Sequence, residues 1–436
     1  MGLDASSSAV QPPAKKRILK YPASAQLSDL TDDTLSLIFS FLDFIDLLYC
    51  SAVCKSWNCV ISTSKLFQTL YYKHKRCQSI NLLEESDCSE NTSKIFLKEL
   101  ALDSHRTALQ EGSVDIYQWK GHLAWVNQCR MKMGLVLTGG NDKVMRLWSV
   151  NNYKCLEEYS VPDRARLIDF DFDESKIVSL VGTTLGIWRR NGRRNIFLSR
   201  EGEIPKASCM CYVDPEAVVG CEDGRARILD MYSRKWSKIL KIHDWPVTCI
   251  SLTDTQMIVG GSSIGNITVS DFSSAQRVAT LKSLGSAGIS TLCVNPGSPL
   301  IFSGSTAGQA CCWDLRTMRS VWQKRVSPNV IYSMNHLRDH PSVLVMGGID
   351  GVLRAVDETS GKILSSCILN QDTSGSKRAE ASNKLSRKKG SRITEDTRLE
   401  LMPKALRPSI TSLAVGFRKV VTIHDDNYIR VWKFRI

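Results

Sequence analysis

Residues 30–42 carry apolar side chains at 30, 35, 38, 39 and 42, the spacing of one face of a helix, with Thr31 or Asp32 available as its cap. A second helical run follows over Asp46–Cys54, and a third begins at Trp57–Ile61. An acidic polar stretch near Glu84–Glu90 then leads into another helical run from Ser93 to Arg106. From Trp119 onward the pattern changes to short apolar runs separated by Gly-, Asn- and Asp-bearing turns, so the expectation switches from helices to strands.

The strand region repeats. Its clearest unit reads Gly121–His122, Trp125–Val126, Leu135 to Asp142 and Val144 to Trp148. The position of Trp148 recurs at Trp188, Leu229, Ser270, Trp313, Val356 and Trp432, at spacings of 40, 41, 41, 43, 43 and 76. A period in the low forties with several strands per unit is the mark of propeller blades, and the long last spacing is one period plus an insertion. Roughly residues 113–436 resemble the WD-repeat family on these features. The resemblance implies seven blades, with Val114–Trp119 supplying the outer strand that the last unit, ending at Trp432–Ile436, lacks.

It also implies a buried hydrogen-bond relay, complete in the first blade as His122, Thr138, Asp142 and Trp148. Buried indole and imidazole groups need partners, so this His/Asp/Thr set is scaffold rather than a hydrolytic triad. Other blades keep fragments: Ser179 with Trp188, Asp223, His243 with Ser263 and Ser270, Ser303 with Trp313–Asp314, Asp350, and Thr422 with Asp426 and Trp432.

The helical stretch resembles an F-box. The matching residues are Leu30, Asp32, Asp33, Leu35, Ile38, Phe39, Leu42, Asp46, Leu47, Val53, Cys54, Lys55, Trp57, Ile61, Leu66 and Phe67, with Thr31 where that family usually has Pro. The alternative is an ordinary helical core. The resemblance implies docking on a Skp-family adaptor through Leu30, Leu35, Ile38, Phe39, Leu42, Leu47 and Trp57; within the motif, Leu30, Ile38 and Leu42 are expected as contacts and Val53 and Trp57 as core. The fold class expected is mainly β, a seven-bladed propeller preceded by a small all-α module. Its segments are a disordered basic tail (1–26), the F-box (27–74), a stiff helical linker (75–112) and the propeller (113–436) with a disordered insertion at about 370–404.

Composition adds limits. Forty-three per cent hydrophobic residues in 436 suffice for a real core. Fifteen Cys occur without any CxxC and beside only 7 His, which points to reduced, buried thiols of an intracellular protein and to no metal site. No run of about 18 apolar residues occurs, and Met1–Pro22 lacks an apolar signal core, so neither a membrane span nor a secretory signal is expected. Nucleus, cytoplasm or both are the expected locations. No phosphate-binding loop, nucleotide fingerprint, nucleophile elbow or catalytic Cys–His spacing is present, so neither enzyme activity nor a cofactor is expected.

The net charge of +13 is unevenly spread, with +10 on the blades (113–369 and 405–436), +3 on 1–26, +4 on 370–404, and −2 each on 27–74 and 75–112. Arg189 to Arg194 is the densest basic run and flanks an Asn191–Gly192 hairpin signal. The residues expected on the rim of the ring's ligand-binding face are Trp125, Asn127, Lys143, Trp245 and Thr248. Together the two resemblances imply a receptor of a Skp–cullin ubiquitin ligase, in which the helical module binds the adaptor and the ring binds an acidic or phosphorylated protein substrate. The competing reading is a basic scaffold in RNA–protein assembly. The basic segments do not interleave with aromatics, which argues against a nucleic-acid partner.

Overall fold

The computed structural model describes residues 30–78, 90–161, 166–190, 197–198, 204–283, 285, 287–294, 298–337, 343–369, 385–394, 397–404 and 407–436. The basic tail, the acidic stretch after residue 78 and the Asn191–Gly192 turn lie outside them. The chain forms two compact units, Met1–Ala101 and Leu102–Ile436.

In the first unit Thr31 caps helix α1 (Asp32–Ser40), its hydroxyl accepting the Thr34 N–H at 3.4 Å, so Thr supplies a helix start where Pro is usual. Asp43 caps α2 (Phe44–Ser51) through the Asp46 N–H at 2.8 Å. The Cys54 thiol caps α3 (Lys55–Thr63), and α4 (Leu66–Gln78) follows. Leu35 and Phe39, four apart on one face of α1, meet Leu47, Val60, Ile61 and Leu66 in a small core. Trp57 stands edge-on to Phe39 with ring centroids 5.3 Å apart. Helix α5 (Glu90–Glu111) brings Glu99 within 2.7 Å of the Tyr71 hydroxyl, which donates to it.

The second unit contains seven blades. In blade one, Val126–Lys132, Leu135–Gly140, Val144–Ser149 and Cys155–Ser160 run antiparallel from the centre outward. Blade seven takes its outer strand from Ser113–Lys120, paired with Tyr428–Arg435 from Ser113↔Arg435 to Lys120↔Tyr428. The ring thus closes as the repeat implied. Alternating direction puts the loops entering each inner strand and the turns between second and third strands at one end, here called the top. Gly224 shows why such turns need glycine: at φ +77° its missing Cβ would lie 2.1 Å from the His243 carbonyl oxygen.

Residues 102–111 of α5 pack at the bottom of blades six and seven. Ala108 and Leu109 join the apolar core there, Arg106 pairs with Asp357 at 2.9 Å, and the Arg418 N–H donates to His105 Nδ1 at 3.0 Å.

The insertion corrects one expectation. Residues 370–404 do not form a wholly disordered loop, because Ser386–Ile393 is a strand set between the outer strand of blade six (Ile363–Leu369) and Ser113–Lys120. Its sequence, SRKKGSRI, has little strand propensity; tertiary contacts decide instead. Both backbone edges are paired, Arg387 grips Asp115 at 2.8 Å, and the Arg392 guanidinium donates to the carbonyls of Ala108, Leu109, Gln110 and Gly112 at 2.7–3.3 Å. Those carbonyls lie at and just beyond the end of α5, where Ala108 also accepts the Gly112 N–H and Leu109 the Ser365 hydroxyl, and positive charge there suits the helix dipole. Arg392→Ala is expected to lower the stability of this unit by about 2–3 kcal/mol. Lys at 392 should recover only part, since an ammonium cannot present the planar fork. Urea denaturation of the three proteins measures this, and equal midpoints would show the cap to be idle.

Candidate protein-binding sites

Among the described residues, the helices of the first unit leave a second set of large apolar side chains exposed. Leu30, Leu37, Ile38, Phe41, Leu48, Tyr49 and Val53 are all exposed, Phe41 at 82%. Seven such side chains on a module of this size make a surface that water disfavours and a partner would cover. The arrangement revises the expected contact set. Leu30 and Ile38 are exposed, and Leu42 and Trp57 are half-buried against the core. Leu35, Phe39 and Leu47 are buried, Leu47 completely, so they shape the face without lying on it. Val53, expected in the core, is exposed. Leu37, Phe41, Leu48 and Tyr49 were not among the expected contacts, although Leu37 and Phe41 share the i, i+4 spacing that links Leu35 and Phe39.

At the top of the ring, blade one joins His122, Asp142, Thr138 and Trp148 by hydrogen bonds. His122 Nδ1 lies 2.9 Å from Asp142, its Nε2 lies 2.8 Å from the Thr138 hydroxyl, and the Trp148 indole N–H donates to that hydroxyl at 2.9 Å. A carboxylate can only accept, so Nδ1 carries the proton and Nε2 accepts from Thr138. Burial alone would raise the Asp142 pKa, but hydrogen bonds from His122 and Arg146 hold it well below the usual carboxylate range. Thr138 is fully buried and its hydroxyl oxygen already accepts the Trp148 N–H, which suits scaffold.

The fragments elsewhere differ in instructive ways. Blade five keeps Trp313 donating to Ser303 at 3.0 Å. Blade seven keeps Trp432 to Thr422 at 2.8 Å, but its histidine, His424, comes from the second strand and donates to the Pro408 carbonyl. In blade four His243 bonds Thr268 and the Gly260 carbonyl, not Ser263 or Ser270. In blade two Ser179 Oγ has no partner, so the expected pairing with Trp188 is absent. Trp188 lies against Gly186 instead, whose Cβ would stand 2.5 Å from the ring.

The turn aspartates of four blades each hold an Arg four residues on: Asp142–Arg146 at 2.8 Å, Asp223–Arg227 at 2.7 Å, Asp350–Arg354 at 2.6 Å and Asp426–Arg430 at 2.7 Å. This repeated Asp-x-x-x-Arg spacing is legible in the sequence and fixes the top turns through charge-assisted bonds.

Each inner strand also carries a bulge near its top, at Asn127, Ile168, Ser208, Thr248, Ser290, Tyr332 and Thr411. Thr248, expected as a rim residue, instead donates to the carbonyls of Gly261 and of Ile289 in the next blade, at 3.1 and 2.5 Å. Ser290 repeats this toward blade six. Asn127 is half-buried and donates to Asn141 at 2.7 Å. Trp125, with Leu123, is exposed on the entry loop of blade one and Trp245 on that of blade four, and Lys143 sits half-buried in a top turn.

Among the described residues no group of three His, Cys, Asp or Glu side chains could hold a metal, and no helix is long and apolar enough to cross a membrane. Burial pushes the thiols of Cys129, Cys209, Cys249 and Cys293 upward, away from the reactive thiolate.

Comparison with known proteins matches two segments of the chain to families. Residues 27–69 match the F-box domain, and residues 276–314 match the WD domain, G-beta repeat. The latter span includes blade five through its Trp313–Asp314 pair. An Arabidopsis thaliana F-box/WD-40 repeat-containing protein is 46% identical over 97% of each chain. Mitochondrial division protein 1 of Sclerotinia sclerotiorum is 22% identical over 38% of this chain and 23% of its own length.

Proposed function

The chain belongs to the F-box/WD-40 repeat-containing proteins, and from that premise we propose that it is the substrate-recognition subunit of a Skp–cullin–F-box ubiquitin ligase. F-box domains generally bind the Skp adaptor, and WD-repeat propellers bind protein substrates. The observation that carries the reading is the uncovered apolar face of Leu30, Leu37, Ile38, Phe41, Leu48, Tyr49 and Val53 on a folded F-box. The adaptor covers that face and links the chain to a cullin, in the nucleus or the cytoplasm.

The top of the ring takes the substrate. Trp125 and Trp245 offer anchoring rings, and Lys143 offers a charge for an acidic or phosphorylated segment. This chain makes and breaks no bonds in the reaction; it raises the local concentration of the substrate and orients its lysines toward the ligase machinery.

Titration calorimetry of the full chain with a purified Skp-family adaptor tests the reading, with a one-to-one complex as the expected result. Failure to bind, together with salt-steep affinity for RNA, would favour the scaffold reading instead.

A further inference from the structure

The outer strands of blades three, four and five are Lys235–Lys241, Arg277–Lys282 and Arg319–Arg325. They hold eight basic residues and no acidic one. The inner strands of these blades pack in succession around the ring, so the three outer strands are neighbours on its circumference. Among the described residues each is the terminal strand of its sheet, with one backbone edge unpaired.

Some of the charge is used internally. Lys238 donates to the carbonyls of Phe272 and Ser273, Arg277 to that of Ile242, and Lys241 pairs with Asp244. Lys235, Lys282, Arg319 and Lys324 are exposed and make no ion pair among the described residues. Between these bases each strand exposes one aliphatic side chain: Ile239, Val278 and Val321, at 57%, 47% and 52%.

Charge on an edge strand protects it from pairing with other chains, and lysine serves that purpose well. Protection does not fix the sign, however. The edge strand of blade one, Cys155–Ser160, carries Glu157 and Glu158 instead. The blade-one edge also exposes one aliphatic, Leu156 at 50%, so what sets the three strands apart is the sign of their charge.

We propose that this basic rim of blades three to five binds an extended, acidic protein segment with interspersed aliphatic residues, apart from the top face assigned to the substrate. Its carboxylates meet Lys235, Lys282, Arg319 and Lys324, its aliphatics cover Ile239, Val278 and Val321, and its backbone pairs with a free edge. Blade six shows that such an edge takes an added strand: Ser386–Ile393 already occupies the corresponding position there. A single-stranded nucleic acid fits less well, since the exposed side chains between the bases are aliphatic rather than aromatic.

The test uses the full chain and fluorescence anisotropy. The probes are a labelled peptide of repeated Glu-Glu-Val of about 15 residues, its Gln-Gln-Val counterpart, and a uridine oligomer of similar length; co-sedimentation with phosphatidylserine vesicles is run alongside. The acidic peptide should bind, weaken with salt, and lose about tenfold or more affinity when Lys235, Lys282, Arg319 and Lys324 are all changed to Glu. A Glu157→Lys, Glu158→Lys variant should bind like the wild type. Because all four bases are exposed and unpaired, the thermal midpoint should hold; if it drops, Val278→Asp with Val321→Asp gives the same comparison. Equal peptide affinity in the reversed-charge and wild-type proteins overturns the proposal. So does tighter, equally rim-dependent binding of the uridine oligomer or the vesicles. Adaptor binding is measured separately and does not bear on either outcome.

Discussion

Changing Ile38 and Phe41 together to Asp is expected to weaken binding of the Skp adaptor about a thousandfold while leaving the thermal midpoint unchanged. Both side chains are exposed, so the free protein loses little when they become charged, and Phe41 is at 82% exposure. In a complex the same positions would bury carboxylates in an apolar surface, each costing a few kcal/mol. Leu47→Ala should do the reverse. That side chain is fully buried between α1, α3 and α4, and its loss should cost about 3 kcal/mol of module stability. Adaptor binding would then fall only as far as the module unfolds, and adding excess adaptor should restore it by mass action. Calorimetric titration and thermal unfolding of both variants separate the cases. If the Asp pair bound normally, the uncovered face would not be the docking surface.

That contrast shows what the sequence can and cannot reveal. Helical spacing locates the F-box because three helices must bury one face each, and the repeat period locates the ring because every blade must bury the same positions. Assigning contacts is harder. Helix α1 carries apolar residues at 35, 37, 38 and 39, on more than one face, and periodicity alone does not say which face turns inward. Leu35 and Phe39 therefore read as contacts although they are core, and Val53 as core although it is exposed. The strand Ser386–Ile393 escaped for a different reason. Its composition is that of a solvated loop, and its order comes from Asp115, from two neighbouring strand edges and from the carbonyl end of α5, all more than 15 residues away in the chain. Thr248 is a similar case, because its rim position follows from the repeat, whereas its bond to the next blade depends on a bulge that pattern does not show.

The ring should also lose stability as pH rises, through one carboxyl group. Glu358 follows the third strand of blade six; it is 3% exposed, and its Oε1 has no hydrogen-bond partner. Burial, and next the charge of Asp357, push its pKa up from 4.5 to about 8. The folded protein therefore keeps this proton between about pH 4.5 and pH 8, while the unfolded chain releases it. Stability is fully retained below that window and declines through it, by on the order of 4 kcal/mol at its upper end. The surrounding groups do not mask the effect. Hydrogen bonds from Ser360 and Thr359 outweigh burial at Asp357 and keep it ionised, and burial raises Cys293 and Cys312 so that both stay neutral. His336 sits 2.9 Å from the Cys293 thiol. Two buried histidines act on the other side: burial, then Arg418, lowers His105 to about 4, and burial, then Arg430, lowers His424. Their neutral forms are favoured in the fold, so stability falls as pH drops below about 6.5. Glu358→Gln keeps the shape of the neutral acid and removes its ionisation. Denaturant titrations should therefore find the variant similar to the wild type near about pH 5 and several kcal/mol more stable near about pH 9, with the acid-side decline intact. Parallel pH profiles for the two proteins would mean that Glu358 ionises in the folded ring as freely as in the unfolded chain.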